Sequence, residues 1–187
     1  THGNTLNITA DGDLLVSYRS TSTIGIVDRS TGEFRWKWGP GQISHQHEPT
    51  FLDCGRVLLF DNGSHRRAPS TNYSRIIEVD PTTNEIVWDY RGDPPISFYS
   101  YQISGAQRLP NGNTFITEGN TGRLFEVTAA GQVVWEYVSP FFDQGPQGMA
   151  NRVFRAHRYG PDHPALAGRD LDPSRYGNLN RMYADNS

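Results

Sequence analysis

The chain has 187 residues, a formal net charge of −3, and 35% hydrophobic residues set against 19 glycines and 12 prolines. That length suits one domain of roughly 100–200 residues, the charge leaves no nucleic-acid footprint, and no run approaches the roughly 18 apolar residues of a membrane span. A lone Cys54 excludes an intrachain disulfide; beside a turn, it reads as a small core-facing residue.

From the N-terminus, a phrase is spoken three times. Residues 12–38, 55–90 and 112–137 each run glycine, apolar strand, polar turn, apolar strand, turn, then an aromatic-rich strand carrying Trp36, Trp88 or Trp135. A repeat of about 40–50 residues with several strands per unit is the mark of propeller blades, and one unit cannot bury its own apolar face. Leu14-Leu15-Val16, Val57-Leu58-Leu59-Phe60 and Thr114-Phe115-Ile116 read as strands buried on both faces. Asp11-Gly12 and Asn111-Gly112 ahead of them predict type I′ turns. Asp28 to Gly32, Asp80 to Asn84 and Thr128 to Gly131 form a second family of turns, each launching a tryptophan-bearing strand. The best helical candidate is a short stretch around Asn151 to Arg158.

The expected fold is all-β: a β-propeller with about three four-stranded blades (1–40, 45–92 and 98–140), the propeller part covering 1–140. Residues 141–187 lose the repeat and read as an irregular closing segment and tail. Three blades are fewer than the usual four to eight. The missing blades are expected from the same parent chain or from an assembly.

VDRSTGEFRW and VDPTTNEIVW, and more loosely VTAAGQVVW, resemble the docking motif of quinoprotein-type propellers, in which a tryptophan ending each blade packs on the next. A closer resemblance rests on THGNTLN followed by DGDLLVSYR, on QHEPTFLDCGRVLLFDNGSHRR with YSR downstream, and on FYSYQISGAQRLPNGNTFITEGNTGRLFEV. These segments resemble the arylsulfotransferase family over roughly 1–159, and FRAHRYGPDHP resembles its closing segment. The resemblance implies a propeller that moves a sulfuryl group from an aryl sulfate to a phenol without metal, cofactor or nucleotide donor. It also implies that His2 and His47 lie in the active site, and that Arg66, by spacing after the Asp61-Asn62-Gly63 turn, helps hold sulfate.

The chemistry suits these residue types. Histidine serves as nucleophile or base near neutral pH, and the guanidinium fork matches tetrahedral oxyanions. His2 and His47 precede equivalent strands, whose inner position lines a propeller's channel. His45 shares the alternation phase of His47 and is a candidate neighbour on one face. Asn62, His65, Arg66 and Arg67 mark a loop that is either site or solvated turn. Arg19 and Arg123, at matching edges of the first and third copies, are candidates for the same anion pocket. Tyr99, Tyr101 and Phe98 offer an aromatic wall or blade packing. Arg152, Arg155, His157 and Arg158 form a cationic cluster that closes over the site or pairs with the rim.

One departure stands out. In characterised bacterial members a histidine that becomes sulfated falls in the equivalent of Glu118 to Leu124, where this chain offers Arg123 and no histidine. The alternative function is a non-catalytic propeller binding an anionic ligand, a glycan or a protein. A quinoprotein dehydrogenase fits poorly, since no metal-ligand carboxylate set and no vicinal cysteine pair is present. The expected setting is periplasmic or extracellular, toward which sequons at Asn7, Asn62 and Asn72 lean.

Overall fold

A computed structural model describes residues 1–66, 72–145 and 148–177; Arg67 lies outside them. Two compact units are present, Thr1–His157 and Arg158–Ser187.

The first unit holds three four-stranded antiparallel sheets, each a meander with its strands in sequence order. Blade one is β1 (Gly3–Ile8), β2 (Leu14–Tyr18), β3 (Thr23–Val27) and β4 (Phe34–Trp38). Blade two is β5 (His47–Phe51), β6 (Val57–Asp61), β7 (Arg75–Asp80) and β8 (Glu85–Arg91). Blade three is β9 (Gly105–Arg108), β10 (Thr114–Glu118), β11 (Arg123–Val127) and β12 (Val133–Val138). A short hairpin of β13 (Asp143–Gly145) and β14 (Gly148–Ala150) follows. Beyond it, residues 151–158 carry no helix, because their backbone groups go to blade three instead: the Val153 amide donates to Gly119 O at 2.9 Å.

Strand alternation explains the uniformly apolar β6. Val57 and Leu59 point into a core shared with Leu15, Ile24 and Trp38 of blade one. Leu58 and Phe60 point into a second core with Phe98, Ala106, Ile116 and Phe125 beside blade three. A strand with a blade on each side has no solvent face, so the period-two signal vanishes from its sequence. Phe98, read above as wall or packing, is packing.

The first-hairpin turns differ from the type I′ expectation. In all three blades an i to i+3 bond closes the turn, from Gly12 N to Thr9 O, Gly55 N to Leu52 O and Gly112 N to Leu109 O. Only the glycine has positive φ, 82–86°, whereas type I′ needs it at two successive residues. Cys54 is exposed in the second of these turns, not core-facing: the turn lifts it away from the sheet.

The tryptophans dock as the repeat suggests. Trp36 Nε1 donates to Asn84 Oδ1 at 2.8 Å and Trp88 Nε1 to Ala129 O at 2.9 Å, each reaching the turn before the last strand of the following blade. Trp135 is 40% exposed and stacks on Tyr137.

The second unit is described to residue 177 and carries short 3-10 turns at Pro164–Leu166 and Pro173–Tyr176. No helix among the described residues is long and apolar enough to cross a membrane.

Candidate functional site

His47 opens β5, and the loop ahead of it is pinned by Gln46. The fully buried Gln46 carboxamide donates to Ser17 Oγ, Tyr18 O and Thr23 O at 2.9, 3.3 and 3.0 Å. His45 and Glu48 both adopt left-handed φ, 59° and 49°, and the β5–β6 register shifts between His47 and Thr50. The resulting bulge re-aims side chains at the start of the strand. Simple alternation therefore fails. His45 turns into a pocket of about 710 Å³ with His65 and Arg66, while His47 lines another of about 430 Å³ with His2, Asn4, Arg19, Gln102, Ile103 and Phe154.

The His47 ring is held in one tautomer. Asn62 Nδ2 donates to Ser100 O at 2.8 Å and Ile103 O at 3.0 Å, so its Oδ1 faces His47 Nδ1 at 2.7 Å as an acceptor. Nδ1 must carry the proton, and Nε2 is left with a lone pair. Burial, opposed by the Asn62 bond and reinforced by the Arg19 charge, lowers the His47 pKa to about 4. The imidazole is neutral at physiological pH. Asn62 itself is fully buried with both amide functions engaged, which rules it out as a glycan acceptor.

Arg19 stands at the start of a 3-10 turn after β2. Its guanidinium reaches one backbone oxygen, Tyr101 O at 3.5 Å, and no carboxylate among the described residues. His2 lies before β1, where its carbonyl accepts from the Arg19 amide at 2.7 Å. Ile103 and Ser104, at φ 50° and 86°, bend the chain under the pocket. Positive φ at a β-branched residue is costly, and such strain concentrates at functional sites.

The structure thus brings together His2, Arg19, His47 and Asn62, and sets the remaining candidates apart. Arg66 bonds Asp61 Oδ2 at 2.8 Å and stacks 4.3 Å over Tyr73, in the pocket of His45 and His65. The His65 ring lies 4.7 Å from that of His45. Arg123 pairs with Glu118 at 3.3 Å and with Glu136, so its charge is spent locally and it does not stand in for the absent histidine. Tyr99 is half-buried and its amide donates to Glu118 Oε1. Arg155 and His157 pair with Glu48, at 2.9 and 3.3 Å. Arg158 falls in the second unit. Sequence reading gave no role to Gln46, Glu48, Gln102 or Phe154, although all four sit inside the segments that carry the family resemblance. Among the described residues no group of three His, Cys, Asp or Glu is arranged to hold a metal.

Stability should respond to pH through two opposed groups. His47 has its folded pKa depressed from 6.5 to about 4, so its contribution is present above 6.5 and lost as pH falls toward 4. Burial raises the Glu48 carboxyl, against the opposing Arg155 charge, from 4.5 to about 7; its contribution is present below 4.5 and lost as pH rises through 7. At about 1.4 kcal/mol per pH unit each is worth on the order of 3 kcal/mol, and between 4.5 and 6.5 they cancel. Urea midpoints should therefore be nearly flat over that window in the parent and rise with pH in Glu48→Gln. A flat Glu48→Gln profile contradicts this assignment.

The family model described as Arylsulfotransferase (ASST) matches residues 1–140. No curated protein matches the chain. Among solved structures, a protein of unknown function from Bacteroides caccae is 18% identical with TM-score 0.55, covering 72% of this chain and 48% of that one. Virginiamycin B lyase from Staphylococcus aureus is 18% identical with TM-score 0.52, covering 79% and 47%. The WD40 β-propeller domain of Doa1 is 15% identical with TM-score 0.52, covering 79% and 46%. The chain spans about half the length of these structures. At such identities the likeness establishes the β-propeller fold alone.

Proposed function

The chain belongs to the arylsulfotransferase family, and from that membership we propose that it transfers a sulfuryl group from an aryl sulfate to a phenolic acceptor, with His47 as the nucleophile. The observation that carries the reading is a neutral, buried imidazole whose Nδ1–H is locked by Asn62, beside an arginine, Arg19, that has no carboxylate partner among the described residues. A nucleophile oriented by a third group is the recurring arrangement of covalent catalysis.

In the first step His47 Nε2 attacks sulfur. The N–S bond forms, the S–O bond to the aryl oxygen breaks, and the departing aryl oxide takes a proton from His2. In the second step His2 recovers a proton from the acceptor phenol, whose oxygen attacks sulfur. The N–S bond breaks and the Nε2 lone pair returns. Arg19 balances the charge on the sulfuryl oxygens, which grows toward the transition state. His2 and Arg19 line the same pocket as His47, which makes a single bound sulfate reachable by all three. A periplasmic or extracellular setting belongs to the same proposal.

The deciding experiment incubates the protein with a chromogenic aryl sulfate, with and without a phenol. Acceptor-dependent release of the chromophore with ping-pong kinetics is expected; release that ignores the acceptor sinks the reading. The second reading, an anion-binding propeller without turnover, draws on the paired Arg123 where the family's sulfated histidine would stand. Sulfate binding with no turnover would select it.

A further inference from the structure

Glu48 is 2% exposed, adopts left-handed φ, and has no part in the transfer steps above. Its carboxylate lies against Gly105 so closely that any Cβ there would overlap it, and it accepts from the Ala106 amide. Its own amide donates to Thr5 Oγ1. The inner strands of all three blades therefore meet at this one residue, blade one through its backbone amide and blade three through its carboxylate.

Burying a carboxylate is unfavourable by several kcal/mol unless it is paired. The charged partner, Arg155, comes from the stretch after β14, as does His157, whose Nε2 lies 3.3 Å from the same oxygen while burial and the Arg155 charge lower its pKa. The same stretch is bonded to blade three: Val153 N to Gly119 O at 2.9 Å, Ser104 N to Phe154 O at 3.1 Å, and Ala156 N to Thr117 Oγ1 at 3.2 Å. Between these anchors sits Phe154. Phe154 is 60% exposed, yet it lines the pocket of His2, Arg19 and His47.

We propose that Glu48 is a positioning residue that ties residues 151–157 across the inner strands, and that Phe154 so placed is the aryl-binding wall of the His47 pocket, selecting aryl over alkyl sulfate esters. The proposal rests on the pocket assignment of the preceding subsection. An aromatic ring facing another gains from offset or edge contact beyond the area it buries, whereas a small alkyl group has no ring face to offer. Above pH 7, where Glu48 is ionised, Glu48→Gln removes the charge that holds Arg155 and loosens the stretch without touching the reacting atoms, so the test is run at pH 8.

The test compares the parent with Glu48→Gln, Phe154→Ala and Phe154→Trp, using benzenesulfonate and methanesulfonate as probes and amide exchange as a second readout. The parent should bind benzenesulfonate about tenfold more tightly than methanesulfonate. Phe154→Ala should erase that preference with exchange at Val153 and Ala156 unchanged, and Phe154→Trp should keep it. Glu48→Gln should erase it while exchange at Val153 and Ala156 rises about tenfold or more and that of Leu58 and Leu59 stays put. A parent without preference, or one that Phe154→Ala retains, overturns the aryl wall; unchanged exchange in Glu48→Gln overturns the tie. A parent that prefers benzenesulfonate but transfers from no aryl sulfate leaves this inference standing and removes the transfer reading instead.

Discussion

Replacing His47 with alanine lowers acceptor-dependent sulfuryl transfer by about three orders of magnitude or more, the scale on which losing a covalent nucleophile acts. Among the other imidazoles of the first unit, His45 and His65 turn into a different pocket and His157 lies against Glu48. His2 shares the pocket but lacks the buried acceptor that fixes the His47 tautomer. The same logic sets a smaller expectation for Asn62→Ala. With Oδ1 gone, the ring keeps only its backbone bond to His45 and the Nδ1–H tautomer is held less firmly, so Nε2 is a lone pair less of the time; kcat should fall about 10- to 100-fold.

The two variants also differ in pH dependence. The acid limb of kcat/KM in the parent should lie near 4, where the free-enzyme His47 protonates. Steady-state rates on a chromogenic aryl sulfate from pH 4 to 8 measure both effects. A His47→Ala protein that retains a tenth of the parent rate, or a parent whose acid limb sits near 6.5, contradicts the assignment.

Much of the architecture was legible in the chain because it is local. The three tryptophan-bearing phrases are the last strands of the three sheets, and the apolar run at Val57 to Phe60 announces a strand between two blades. The turn type was misread because Asp-Gly and Asn-Gly also suit a turn in which only the glycine is left-handed. The site was legible to a different degree. His2, Arg19, His47 and Asn62 came from motif and spacing, and they converge. Arg66 and Arg123 came from the same spacing and do not join them, because Asp61, Glu118 and Glu136 claim their charges. These partners lie only five to thirteen residues away, but across turns between strands, and spacing alone does not say which carboxylate a guanidinium meets there. Glu48 and Phe154 were invisible for a related reason: a bulge and a positive φ at a non-glycine residue aim Glu48 at a segment about a hundred residues later.

Asp61→Ala should destabilise the protein by about 3–5 kcal/mol, the cost of stripping one member from a buried charge cluster. Asp61 is fully buried at the end of β6. Its Oδ2 accepts from Arg66 Nη2 and Arg75 Nε, both at 2.8 Å, and its Oδ1 from the Ser44 amide at 2.8 Å. Alanine would leave two guanidinium groups, 17% and 11% exposed, facing each other with no carboxylate between them. Asp61→Asn keeps an acceptor for Ser44 but loses the charge, and should fall between alanine and the parent. Arg35→Ala is the control: Arg35 bridges Asp13 and Asp28 with its side chain 58% exposed, where solvent screens the pair, so its urea midpoint should match the parent's. Because Ser44 precedes the Gln46 plug, the Asp61→Ala effect should also reach His47, raising its amide exchange before global unfolding. If the Asp61→Ala midpoint lies with that of Arg35→Ala, the two guanidiniums have found other partners and the cluster is not what holds the loop ahead of β5.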